Sequence, residues 1–277
     1  MRRLVLIAGL VLLVLLAGCG SGFGFDTGTD TSSTVTPAPV PTDDPLSNPP
    51  TGLSEKGITN SSALANAHGQ ALANTSFTIQ SSRTLTASNG TRLVDTTSIQ
   101  QVGANHEYWT TEQAFNGTHA EFAGMPVENV NSWRNGVHRF YQLQGPNDTE
   151  YRTVPSDSDV VPTNRQQLLS FYMHAESTAV STANGRIRVS MNIGPEARIG
   201  PQLAINMTER TVILTLTETG RVERYRLEYA GRLIDDSSTA VRGVRVTRFT
   251  RLGETSPKQP DWVATARNRS TVKPEVG

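Results

Sequence analysis

RIRVSMNI, residues 186–193, alternates without a break. Ile187, Val189, Met191 and Ile193 fall on one face, and Arg186, Arg188, Ser190 and Asn192 on the other. That is the period of a strand that buries one face and wets the other. Downstream, TVILTLTETGRVERYRLEY, residues 211–229, reads as two such strands folded back near Thr219 and Gly220. Its return strand sets Tyr225, Leu227 and Tyr229 inward against Arg224, Arg226 and Glu228. Upstream, SWRNGVHRFYQL, residues 132–143, reads as another hairpin, with Asn135 and Gly136 supplying the positive φ angles of a tight turn.

Further strands are expected over 75–86, 91–102, 107–112 and 241–250. A helix is expected over 59–74, where Leu64, Ala67, Ala71 and Leu72 make one stripe. Gly69 weakens it by about 1 kcal/mol relative to Ala. For a second helix, Pro162 precedes Thr163, and Thr163 with Gln166 fits a capping box ahead of Leu168, Leu169, Tyr172 and Met173. The pattern is α+β: a large antiparallel sheet whose apolar face needs helices to cover it.

The N-terminus carries an address. Arg2 and Arg3 precede an apolar run over residues 4–16, and small residues follow at Ala17 and Gly18, the layout of an export signal. A spanning helix needs roughly 20 apolar residues, more than this run holds. Leu16, Ala17, Gly18 and Cys19 spell LAGC, which resembles the lipobox of bacterial and archaeal lipoproteins. The resemblance implies that Cys19 becomes the lipid-modified first residue of the exported chain, held to the cell membrane on its extracellular side. Cys19 is the single cysteine of the chain, so it has no internal disulfide partner. Two acyl chains suffice for stable anchoring at about 0.8 kcal/mol per buried methylene. The twin arginines leave the export route open between unfolded and folded translocation.

Residues 20–57 are dominated by Gly, Ser, Thr, Pro and Asp, too polar to offset the entropy of ordering. The expected organisation is a lipoprotein signal peptide over 1–18 and a lipid-anchored disordered tether over 19–57. A single α+β domain over 58–270 and a flexible tail over 271–277 complete it. As a flexible coil the tether spans roughly 30 to 40 Å, enough to lift the domain off a membrane.

The order of AHGQALANTSFTI (67–79), NGT at Asn89–Thr91, RNGVHRFYQL (134–143), a mid-chain helix, alternating strands and the closing PDWVATA (260–266) carries a second resemblance. It resembles a family of haloarchaeal lipoproteins of unknown function. Their layout is similar to the half-barrel of outer-membrane lipoprotein carriers and mycobacterial lipid-binding lipoproteins. The resemblance implies a curved antiparallel sheet, a half-barrel covered on one face by helices, with a cavity for an apolar or lipid ligand. The bulky residues that could line it are Trp109, Phe115, Trp133, Phe140, Tyr141, Tyr151, Phe171 and Tyr172.

Lys plus Arg and Asp plus Glu are 25 each, so no basic field draws nucleic acid. Asn-x-Ser/Thr sequons stand at Asn60, Asn74, Asn89, Asn116, Asn147, Asn206 and Asn268, acceptor sites for N-glycosylation of an exported protein. His106 with Glu107, and His119 with Glu121, are the imaginable metal ligands. Neither pair has the two-histidine helical spacing of a zinc hydrolase, so no metal is expected. No nucleophile elbow or phosphate loop occurs, and GSGFG at residues 20–24 follows the lipobox rather than a strand. No catalytic residue and no cofactor is expected. The expected function is a non-enzymatic, lipid-anchored envelope protein that binds an apolar ligand or another envelope component. The alternative is an adhesive surface module that binds protein or polysaccharide through its wet β face.

Overall fold

The computed structural model describes residues 46, 48–119, 121–156, 161–197 and 204–270. The expected signal peptide, the lipobox with Cys19, most of the tether and the tail over 271–277 lie outside the described residues. A two-strand ladder, β1 (Leu53–Ser54) with β2 (Gly57–Ile58), leads into α1 (Ser61–Leu72). Strands β3 (Phe77–Ala87), β4 (Arg92–Val102) and β5 (Tyr108–Asn116) follow, then the small hairpin β6 (Glu121–Phe122) and β7 (Met125–Pro126). Next come β8 (Asn129–Asn135), β9 (His138–Gln144) and β10 (Thr149–Pro155). Helix α2 (Arg165–Met173) separates these from β11 (Ala175–Ala183), β12 (Arg186–Ile193), β13 (Ala204–Leu216), β14 (Val222–Leu233) and β15 (Ala240–Thr250). Helix α3 (Trp262–Ser270) closes the described chain.

Eleven strands form one antiparallel sheet in the order β10-β9-β8-β5-β4-β3-β15-β14-β13-β12-β11. The chain therefore enters at the middle with β3, winds out to one edge at β10, and crosses through α2 to the other edge at β11. It then winds back until β15 pairs with β3. The register puts Phe77, Val102, Trp109, Tyr225, Leu214 and Val189 on one face. Helices α1 and α2 cover that face through Leu64, Leu72, Leu168, Phe171 and Tyr172, all buried in its core. Each such side chain, fully buried, stabilises the fold by about 1.5–3 kcal/mol.

The expectation of helices on one face is corrected. Trp133 and Phe140 are cross-strand partners on the opposite face, and Val263 and Ala266 of α3 pack on them. The physical reason lies in β8 and β9, mostly polar strands that nonetheless carry a large apolar residue on each face. Val130 and Leu143 are buried on the α1 face, Trp133 and Phe140 on the α3 face, so both need a cover.

Local expectations fare unevenly. The alternating strand over 186–193 and the 211–229 hairpin form, the latter turning through Gly220 at φ +83°. In the other hairpin only Gly136 takes a positive φ, +82°. Asn135 instead accepts a hydrogen bond from the His138 N–H through its Oδ1 at 2.9 Å, holding the loop by a side chain. The capping box at Thr163 does not form: α2 starts after Asn164, which sits left-handed at φ 58° without a side-chain cap. The Thr163 hydroxyl accepts from Arg165 N at 3.4 Å, a local turn in place of a cap. Ordered structure also begins before residue 58, because Leu53 is buried and pairs with Ile58. The tether assignment was too long at that end: its composition hid one buried leucine.

His68 ties three parts of the chain together. From α1 its Nε2 donates to the Thr163 carbonyl at 2.8 Å, while its Nδ1 accepts from the Val222 N–H at 3.0 Å. Both bonds require the neutral ring, since a proton on Nδ1 would leave the Val222 N–H facing another donor. Burial lowers the His68 pKa from 6.5 to about 4, against the raising effect of the Thr163 carbonyl. Below 6.5 the unfolded chain takes up a proton that the folded chain refuses until about pH 4, so stability present at pH 7 is lost across that window. The total loss is about 3 kcal/mol.

A second packing constraint sits at Gly243. A Cβ there would strike the ring of Tyr229, its cross-strand partner on β14. The glycine is the space the tyrosine ring occupies.

Urea unfolding from pH 7 to pH 4 tests the histidine: wild type should lose about 3 kcal/mol over this range, whereas His68→Leu should start lower and show a flatter profile. An unchanged pH slope in the variant would remove the assignment. Gly243→Ala should cost about 1–3 kcal/mol by overpacking, and much of that cost should vanish in a Tyr229→Ala background. Strict additivity of the two substitutions would show that the ring and the glycine are not coupled.

Candidate functional site

Four central strands share one irregularity. On the α1 face β3 presents Phe77 and Ile79, then Ser81 and Arg83, then Leu85 and Ala87. Strand β4 runs Val94, Thr96, Ser98, Gln100, Val102, and β5 runs Trp109, Thr111, Gln113, Phe115. Strand β15 runs Val241, Gly243, Arg245, Thr247, Phe249. Each inward row is apolar or backbone-only at its ends and polar in its middle. Register aligns the middles into a polar belt across the sheet.

The belt floors a recess of about 200 Å³ lined by Ser81, Arg83, Thr96, Ser98, Gln113 and Arg245, with Phe115 and Val94 as apolar walls. The β6–β7 hairpin borders it, packing Phe122 and Met125 against Phe115, Val130 and Leu143. His119 and exposed Glu121 stand at the rim. Arg83 and Arg245 are direct cross-strand partners, and among the described residues no acidic side chain pairs with either.

Polar groups on this face of the sheet are left without partners, and Arg83 is the one of them that lines the recess. The Arg83 Nε, Tyr229 hydroxyl, Thr111 Oγ1 and Ser132 Oγ are buried atoms with no hydrogen bond, and all lie on the α1 face. Each such group costs about 1–3 kcal/mol. Arg139 likewise leaves its Nε without a partner, its guanidinium resting 5.2 Å from the Tyr141 ring centroid, while two other buried arginines are provided for. Arg210 donates to the Met207, Gly194 and Ala197 carbonyls, and Arg134 lies 4.1 Å from the Trp109 ring centroid while donating to Ser156 Oγ. Burial holds the Arg83 guanidinium below its ordinary pKa, with the Arg245 charge acting in the same direction and Tyr229 in the opposite one. Burial also pushes the Tyr229 hydroxyl up to about 12, with Arg83 and Arg245 pulling it back. The recess is thus a half-buried cationic pocket with donors to spare.

The aromatic residues expected to line one cavity are dispersed, which corrects that expectation. Phe115 walls the recess, Trp109 lies beneath Arg134, and Tyr141 packs toward Phe122. Phe171 and Tyr172 belong to the main core, Phe171 with its ring 5.6 Å from that of Tyr225. Trp133, Phe140 and Tyr151 are on the far side of the sheet under α3. Residue type alone could not sort them, because β8 and β9 set large apolar residues on both faces among polar ones. Arg83, Arg245 and Tyr229 were not singled out by sequence. Their signal is a polar break at the centre of an otherwise apolar inward row, and it acquires meaning only when the strands are aligned.

The metal-ligand pairs do not assemble. His106, at φ 58°, donates through Nε2 to the Thr75 carbonyl at 3.1 Å, and Glu107 accepts from the Asn105 side-chain amide. His119 lies in the loop after β5, its Nδ1 bonded to the Thr118 hydroxyl at 3.1 Å. No group of three potential metal ligands occurs among the described residues. All seven sequon asparagines are exposed. Asn60 also caps α1 by accepting from Ala63 N at 2.9 Å, and Asn206 sits at φ 48° where the β13 register slips. A wider groove of about 670 Å³ runs between α1 and the segment entering α2, beside Gln70, Pro162 and Arg165. It contains none of the orphaned polar atoms, which is why the belt recess is the better candidate.

No family model and no curated protein matches the chain, so the resemblance to haloarchaeal lipoproteins gains no support from that side. Among solved structures, the chain is similar to the crystal structure of a DUF1329 family protein from Desulfovibrio piger. Identity is 9% and the TM-score 0.28, over 73% of this chain and 94% of that one. At that identity and overlap the similarity assigns no function.

Proposed function

We propose that the protein is a non-enzymatic, lipid-anchored binding protein of the cell envelope, whose sheet curls into a half-barrel and holds an amphiphilic ligand against its α1 face. The observation that carries the reading is the belt recess. A sheet serving only as scaffold gains by burying apolar side chains there, whereas this one holds unpartnered donors between two apolar margins. Apolar margins suit acyl or isoprenoid chains, and the polar middle suits a head.

Curvature is supported by chain length. Eleven strands laid flat span about 48 Å. The 19 residues joining β10 to β11 comprise α2, about 14 Å of helix, and ten others that reach about 35 Å when fully extended. Such a link spans a flat sheet only when taut, yet α2 is packed into the core through Leu168 and Phe171. Bringing the edges closer by curling the sheet removes the conflict.

The anchor rests on the sequence: LAGC with the lone Cys19, after an apolar run too short to span. Among the described residues no helix is long and apolar enough to cross a membrane. The adhesive alternative draws on the α3 face, where Gln80, Thr97, Arg224, Arg226 and Arg248 line a polar groove of about 460 Å³. That groove carries no buried orphan atom, so it ranks second.

Cys19→Ala should move the protein from the membrane fraction to the soluble or secreted one on cell fractionation. Retention in the membrane would defeat the anchor. Mass spectrometry of organic extracts from the purified native protein should find a co-purifying amphiphile, and its repeated absence would favour the adhesive alternative.

A further inference from the structure

Resting on that reading, we infer that Arg83 and Arg245 form a clamp for a phosphate-type oxyanion, the head of the ligand held in the belt recess. The two guanidinium groups project from directly paired positions of β3 and β15 onto the same face. Like charges opposite each other across a ladder repel, and no carboxylate among the described residues pairs with either. The Arg83 Nε is fully buried without an acceptor. Such an arrangement leaves an anion-shaped deficit: two planar donor forks at the floor of a cavity, without an acidic partner among the described residues, Arg245 having the face of the Tyr225 ring 5.9 Å away.

The surroundings narrow the anion. Thr96 and Ser98 stand beside Arg83 on β4, and Gln113 beside Ser98 on β5, adding neutral donors around the arginine pair. A carboxylate has two oxygens to offer, fewer than these donors can serve, whereas a phosphate presents three or four around a tetrahedron. Partial burial strengthens each charge-assisted bond relative to water. The apolar margins at Phe115 and Val94 give room for a chain attached to the phosphate. Glu121, exposed at the rim, is the one acidic residue lining the recess, and it opposes an incoming anion. Binding therefore relieves the repulsion between the arginines and raises thermal stability by mass action.

The test uses the full chain purified from membranes with its anchor, in micelles of an uncharged detergent. Inorganic phosphate, dihexanoyl phosphatidate and uncharged dihexanoylglycerol are each titrated by calorimetry, with thermal unfolding as a second readout. Phosphate and phosphatidate should bind and raise Tm. Arg83→Gln and Arg245→Gln should each weaken both by about tenfold or more, the loss of one charged hydrogen-bonding partner, while leaving dihexanoylglycerol unchanged. Glu121→Gln should tighten anion binding severalfold. Circular dichroism establishes that each variant is folded, and Arg245→Gln carries the test where Arg83→Gln does not fold. Tighter binding of phosphatidate than of phosphate supports the clamp with a lipid head as its ligand. Equal binding supports it with free phosphate as the ligand. Absence of anion binding by wild type, or unweakened binding by both arginine variants, overturns the clamp. In that event dihexanoylglycerol binding together with a functioning Cys19 anchor would leave the envelope-carrier reading standing, so the two failures are distinguishable.

Discussion

The pairing of β3 with β15 holds this molecule together. Ten residue pairs, from Thr78 with Thr250 to Ala87 with Val241, join a sheet wound outward from the middle to one wound inward from the opposite edge. Without the seam there would be two smaller sheets, each with an exposed open edge. With it, α1 and α2 find one continuous face to cover. The seam is reinforced by side chains, Ser81 with Thr247 at 3.0 Å and Thr78 with Thr255 at 2.9 Å, the second of which draws the C-terminal segment across the α3 face on its way to α3. Its partners are far apart in sequence, so its loop-closure entropy must be met before most of the core forms. That makes the seam an expected late and slow event in folding.

The same seam creates the recess. Arg83 and Arg245 are neighbours only because β15 returns to β3, and the protein carries that juxtaposition as a cost. Two treatments of buried polarity sit in one core. His68 has both ring nitrogens engaged and its charge suppressed, so it behaves as a neutral clip between α1, the entry to α2 and β14. Arg83 keeps its charge and lacks a partner at Nε. The Tyr172 hydroxyl and the Trp133 Nε1 are unpartnered in the two cores as well, so what sets Arg83 apart is its charge and its place at the floor of a recess beside a second arginine.

Much of the strand pattern was readable because alternation is a local property. Residues 186–193 and the 211–229 hairpin needed nothing beyond a period of two and a glycine turn. Strand β11, AESTAVSTA, was hidden because Ala, Ser and Thr give no contrast between faces, and β10 because its residues are largely exposed at a sheet edge. Helix α3 has nine residues and only Val263 and Ala266 buried, too short a stripe to register as a period. Capping failed at Thr163 because Asn164 takes a left-handed conformation and stands at the helix start in its place.

By itself the sequence determined the phase of the clearest strands, the helix of residues 61–72 and the turn at Gly220, all properties of residues close together in the chain. Tertiary structure alone decided which polar breaks coincide. Serines, threonines and arginines at the centres of β3, β4, β5 and β15 read singly as imperfections of an inward row. Register across strands up to 170 residues apart aligns them into one belt, and the β6–β7 hairpin beside that belt borders the recess. The helices sort the aromatic residues in the same way, taking Phe171 and Tyr172 into one core and Trp133 and Phe140 into another on the far side. Alternation fixes which side chains share a strand face, but only pairing with distant strands fixes what lies beside them.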